Sequence, residues 1–158
     1  MERSCQILLE LPPPETIEFF VVFSRFEYAL KCSGHLTNGK GNEAKADWDK
    51  FADRLGKPFL NHIRRSNHAD KLLEKPPKKQ VMRDGKVEWK EVTPIKTAAD
   101  LFCAIRRVRN NLFHGGKYST GPVEEIARNK ELLSSARWVL IQALEESPKV
   151  RTVFCEPL

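Results

Sequence analysis

The sequence predicts an all-α domain, a bundle of helices interrupted by one small β-hairpin insertion at about residues 80–90. Three observations predict it. Apolar residues recur at helical spacing, most clearly Ile126, Leu133, Ala136, Leu140 and Ala143. Glycine and proline cut the chain into pieces of helix length, at Pro12-Pro13-Pro14, Gly56, Pro76-Pro77, Gly115-Gly116, Gly121-Pro122 and Pro148. Two short β-compatible runs, Gln80–Arg83 and Lys86–Trp89, flank Asp84-Gly85, a dipeptide suited to a tight hairpin turn.

The first helix is expected from Glu15 or Thr16 to about Ser33, stopped by Gly34. Its apolar residues (Ile17, Phe19 to Phe23, Phe26, Tyr28, Leu30) cover most of its circumference. Such a helix belongs inside a bundle or at a subunit interface. Arg25 and Glu27 interrupt it and read as an ordinary exposed pair. Residues 34–46 read as a loop, with Gly-containing turns and little apolar content. A short helix follows at about 47–55, started by Asp47 and stopped by Gly56, and another at about 58–74. The hairpin comes next and should pack on the bundle through Val87 or Trp89, because an isolated hairpin is marginal. Thr93 or Thr97 starts a helix that reaches Phe113 or His114, and the last long helix runs from Gly121-Pro122 to about Glu146. Residues 148–158 are expected to be an extended tail.

One domain, residues 1–158 with a core at about 15–147, accommodates this length, since domains usually hold about 100–150 residues. Cys5, Cys32, Cys103 and Cys155 are widely spaced, so no CxxC pair exists and neither a metal site nor a cofactor is expected. The longest apolar run is Phe19 to Phe23, far short of the roughly 20 residues a membrane helix needs. No basic start followed by an apolar stretch opens the chain, so a cytoplasmic protein with free thiols is expected. The net charge is +6, and residues 57–90 alone hold ten basic and four acidic groups. From Leu101 to Val123 there are four basic residues and no acidic one. Two basic regions can attract a polyanion such as RNA, although lysines also serve merely as a solvated face.

The chemistry concentrates in residues 101–114. On a helix at about 100° per residue, Leu101, Ile105, Val108 and Leu112 point to the core. Arg106, Arg107, Asn110 and His114 lie opposite, with Arg109 at the edge beside Phe102 and Phe113. An arginine cluster suits phosphates, and an exposed phenylalanine pair suits a partner. A second copy of the same face across a two-fold axis satisfies both and brings two histidines into one cleft. Such a cleft fits RNA cleavage: histidine transfers protons near neutral pH, and arginine matches the charge and shape of the phosphate.

The segment Arg109-Asn110-Asn111-Leu112-Phe113-His114 resembles the HEPN signature, an arginine, a polar residue and then a histidine, near the end of a late helix. The order of helices over about 15–147 is similar as well. The aromatic-rich stretch from Phe19 to Lys31 resembles HEPN families carried on bacterial mobile elements. The resemblance implies a HEPN-like bundle of four to five helices that dimerises through the helix at 97–114. It implies a metal-independent endoribonuclease, a toxin or defence effector, with RNA as substrate and an antitoxin or other regulatory protein as a further partner. Arg109, Asn110 and His114 would be the catalytic set. Arg106, Arg107, Lys117, Tyr118, Arg64 and Arg65 would bind RNA. Arg107 satisfies the longer spacing to His114, and Arg109 is preferred because Asn110 follows it. The hairpin departs from the plainest HEPN bundle; covering the groove, binding RNA and contacting an antitoxin all stay open for it. Some HEPN domains are inactive, so a non-catalytic module binding RNA or a protein is the alternative.

Plainer readings stand beside these. Arg109 and His114 are roughly 140° apart on an ideal helix, so one chain cannot bring both to one phosphate unless the last turn distorts. His114 then becomes a C-terminal cap and Arg109 a surface ion-pair partner. His62 and His68 read as part of a solvated basic helix, His35 as a cap or loop residue, and Trp48, Trp89 and Trp138 as packing residues.

Overall fold

The computed structural model describes residues 12–115 and 123–157, without the side chains of residues 114, 115, 123 and 124. The chain is mostly helical, with six helices and two small antiparallel hairpins among the described residues. In chain order these are α1 (Pro14–Cys32), β1 (Leu36–Asn38), β2 (Ala44–Ala46), α2 (Trp48–Ser66), α3 (Asp70–Glu74), β3 (Lys79–Arg83), β4 (Lys86–Lys90), α4 (Ala98–Gly115), α5 (Val123–Glu145) and α6 (Pro148–Cys155).

Helix α1 starts on Pro14, whose missing N–H costs nothing in a first turn. It ends on Gly34, at φ 92°, which lets the His35 amide return to the Leu30 carbonyl at 3.0 Å. The helix buries Phe19, Phe23, Phe26, Ala29 and Leu30. It does not bury its whole circumference, as its composition suggested: Ile17, Val21 and Tyr28 are exposed. Phe26 stacks on Trp48 (centroids 5.5 Å, planes 11° apart) and meets Phe51 edge-on. Phe51 and Phe59 both contact Phe102 of α4. This aromatic chain joins α1, α2 and α4, and each fully buried ring contributes roughly 1.5–3 kcal/mol. Phe102 is therefore core, not the exposed ring expected beside Arg109.

Residues 34–46 are not a plain loop. Leu36 pairs with Ala46 and Asn38 with Ala44, closed by positive-φ Gly41 and Asn42, and the hairpin lies on α1. Asp47 accepts from the Lys50 amide and starts α2, as expected. Gly56, at φ 58° and ψ −158°, breaks α2 where the sequence placed a helix end. The second half stops at Ser66 rather than near residue 74, because Asn67 turns left-handed, and α3 follows as a separate short helix.

The β3–β4 hairpin sits where expected, in register Lys79↔Lys90 through Arg83↔Lys86, with Asp84 and Gly85 at φ 50° and 73°. Of the two expected docking residues, Val87 is 69% exposed and Trp89 is half-buried, and side-chain bonds also hold the hairpin at its root. Residues 148–158 are not an extended tail. Pro148 opens α6, which packs on α1 with Val150 fully buried and Val153 and Phe154 half-buried against the core. Arg25 donates to the carbonyls of Phe154 (2.6 and 3.2 Å) and Glu156 (2.7 Å), so it fastens α6 rather than forming an exposed pair with Glu27.

Candidate nucleic-acid interface

Helix α4 begins with a reciprocal cap. The Thr97 hydroxyl accepts from the Asp100 amide at 3.1 Å, and the Asp100 carboxylate accepts from the Lys96 and Thr97 amides. Burial pushes the Asp100 pKa up, but the bonds from Thr97 and Lys96 and the nearby lysine charge outweigh it, and the net direction is down. The cap fixes where the helix starts, and its core residues set its rotation. Leu101, Ile105, Val108 and Leu112 face the core, all at most 4% exposed. Arg106 and Asn110 are consequently exposed, and Arg109 is half-buried at the boundary with α1.

Arg109 meets Phe23, Asn110 and Glu27. Its guanidinium carbon lies 5.3 Å from the centre of the Phe23 ring. One of its nitrogens donates to Asn110 Oδ1 at 2.8 Å, and another is 3.9 Å from the Glu27 carboxylate. Trp48 Nε1 donates to the other Glu27 oxygen at 3.2 Å. Arg106, Arg109 and Asn110 line an open polar cleft together with Lys31, Lys45 and Glu27. On the other side of Arg109 an apolar groove holds Val21 and Phe113, and Phe113 meets Phe20 edge-on at 5.7 Å.

The structure thus brings Arg106, Arg109 and Asn110 together and leaves other expected residues elsewhere. Arg107 donates to the Pro77 carbonyl at 3.4 Å and approaches the Cys103 sulfur, on the hairpin flank of α4. Arg64 donates to the Ile95 carbonyl, before the far end of α4, and exposed Arg65 adjoins it. At 1.5 Å per residue, Ala98 to Arg109 is roughly 16 Å, so neither reaches the cleft. Lys117 and Tyr118 lie outside the described residues, as does the His114 side chain. Arg109 and position 114 belong to one helix.

Other singled-out residues have structural partners. His62 bonds Gln142, and His68 stacks on Trp138 at 4.9 Å. His35 is buried against Phe51, and burial, followed by the charges of Arg54 and Lys50, lowers its pKa. Cys32, Cys103 and Cys155 are exposed free thiols. Among the described residues no cluster of His, Cys, Asp and Glu is placed to hold a metal ion, and no helix is long and apolar enough to cross a membrane.

Sequence reading missed Glu27, Lys31 and Lys45 as cleft residues. Glu27 was the legible one, since a carboxylate inside so aromatic a helix needs buried-side partners. Lys45 reaches the cleft only because 36–46 folds into a hairpin. No family model, no curated protein and no solved structure matches the chain. The cleft's own chemistry carries the functional argument.

Chemically, the cleft is a site for an anion. Two guanidiniums and two ammonium groups outnumber the acids that line it, Glu27 and Glu43. With Asn110 Oδ1 bonded to Arg109, the amide hydrogens of Asn110 are left to donate to a phosphate or a base.

Proposed function

We propose that the chain is a HEPN-type, metal-independent endoribonuclease that acts as a homodimer. The observation that carries this is the grouping of Arg106, Arg109 and Asn110 in one open cleft on the helix that also bears His114. RNA phosphate would lie against the arginines, with Arg109 stabilising the charge that grows on its oxygens. A histidine accepts the 2′-hydroxyl proton as the 2′-oxygen bonds phosphorus. The bond to the 5′-oxygen breaks, and a second histidine supplies that oxygen's proton. The products are a 2′,3′-cyclic phosphate and a 5′-hydroxyl. Each chain offers one suitable histidine, so two chains are needed. Exposed Val21 and Phe113 beside Arg109 support a chain-to-chain contact at this edge. The same reading places the protein in the cytoplasm as a toxin or defence effector, held in check by an antitoxin.

The decisive assay incubates wild type and His114→Ala in parallel with a mixed RNA pool in EDTA. Cleavage by wild type alone, leaving cyclic-phosphate ends, is the expected result. Full activity in His114→Ala would sink the mechanism.

A second reading is favoured by one observation: Glu27 and Phe23 already engage Arg109. A HEPN module whose arginine is held this way would bind RNA or a protein without turnover. Tight RNA binding with no cleavage by wild type would select it.

A further inference from the structure

We propose that the β3–β4 hairpin is an RNA-binding arm, whose Lys79, Arg83, Lys86 and Lys90 face engages phosphates beyond the Arg109 cleft. Lys79 stands directly opposite Lys90, and Arg83 directly opposite Lys86. Alternation puts all four on one face, separated by the Val81–Glu88 pair. Like charges directly opposite weaken strand pairing, and a lone two-stranded hairpin is already marginal. On that face Glu88 is the one acid, in an exposed 3.6 Å pair with Arg83, and Asp84 in the turn is the other acid of the hairpin, so four cations face two carboxylates. All four cations are exposed. A face so built gains from an external polyanion what it lacks internally.

The hairpin's mounting suits an arm. Its root is clamped by three side chains on main-chain carbonyls: Asn111 on Lys78 at 2.9 Å, Arg128 on Pro76 at 3.2 Å, and Arg107 on Pro77 at 3.4 Å. Lys78 also pairs with Glu91 at 3.3 Å. The far end is open, with Met82 83% exposed. Two of the clamps, Arg107 and Asn111, come from the same turns of α4 that carry Arg106, Arg109 and Asn110. The root of the arm therefore lies on the flank of α4 next to Arg106 and Asn110, and its strands are roughly 17 Å long, with the two cation pairs about 14 Å apart along them. Repeated charge at that spacing fits a phosphate backbone. That the polyanion is RNA rests on the function proposed above.

The test compares two full-length proteins, both carrying His114→Ala so that RNA stays intact. One also carries Lys79→Gln, Arg83→Gln, Lys86→Gln and Lys90→Gln. Binding of a fluorescein-labelled stem–loop RNA is titrated at several salt concentrations from about 50 to 200 mM. The arm predicts affinity at least tenfold lower for the Gln variant at about 0.1 M salt. Its plot of log K against log salt should be shallower by about three, near 0.7–0.9 per lost contact. Its melting temperature should hold or rise, because two like-charge pairs are gone. Equal affinity and slope would overturn the arm. So would a loss confined to binding of poly-L-glutamate, which would point to an acidic protein. Because this titration needs no cleavage, an inactive wild type would sink the nuclease and leave the arm to stand or fall alone.

Discussion

Arg107 and Arg109 are two residues apart on one helix and occupy two different regions. On the hairpin flank, Arg107 is absorbed by architecture, its guanidinium serving the Pro77 carbonyl at the root of β3. On the α1 flank, Arg109 lies over an aromatic ring, beside an amide and near a carboxylate, at the edge of an open cleft. Both satisfy an arginine-to-histidine spacing in the sequence. What separates them is the direction each takes from a helix whose rotation four core residues set. Spacing nominates an arginine; the neighbouring elements decide whether it is available to a ligand.

The largest effect that would sharpen this contrast is on stability. Arg107→Ala should cost about 1–3 kcal/mol, the usual range for losing a charged hydrogen bond to a carbonyl, and denaturant melts would measure it. A variant as stable as wild type would return Arg107 to the pool of ligand-binding residues. A smaller effect is expected on the other flank. Glu27→Gln keeps an acceptor for Trp48 and removes the charge facing Arg109. Stability should change by less than about 1 kcal/mol, as for other part-exposed pairs, while RNA binding tightens a few-fold. Weaker binding would mean that Glu27 positions Arg109 for the ligand rather than competing with it.

The smallest effect concerns the ground on which the cleft is built. His35 is buried on Phe51 and its pKa is lowered, so the folded protein favours the neutral ring. Below the unfolded value of about 6.5 the unfolded chain binds the proton more readily, and stability falls as pH drops toward the folded value. Thermal melts from pH 8 to about pH 5 should show that decline, and His35→Phe should flatten it. An equally steep decline in the variant would place the titration elsewhere.

Much of this architecture was legible in the sequence, for identifiable reasons. The β3–β4 turn was readable because Asp84-Gly85 supplies two positive-φ residues between short β-compatible runs. The core face of α4 was readable because Leu101, Ile105, Val108 and Leu112 repeat at helical spacing. The β1–β2 hairpin was not, since its strands are three residues long and apolar-poor, and α1 beneath supplies their support. Helix α6 was missed because Pro148 read as an ending; it is a first helical residue, and Val150, Val153 and Phe154 give it a packed side. At the site, Arg106, Arg109 and Asn110 could be nominated from one helix. Lys31, Lys45 and Glu27 arrive from other elements, and only the tertiary fold brings them there.

The most direct test of the central claim is a cleavage assay on Arg109→Ala and Arg107→Ala in parallel, with the same RNA pool in EDTA. Arg109→Ala should lose about a hundredfold or more, as when a transition-state charge partner is removed, while Arg107→Ala should cut within a few-fold of wild type at a temperature where it stays folded. Activity surviving in Arg109→Ala and lost in folded Arg107→Ala would contradict the claim and move the reactive phosphate to the hairpin flank.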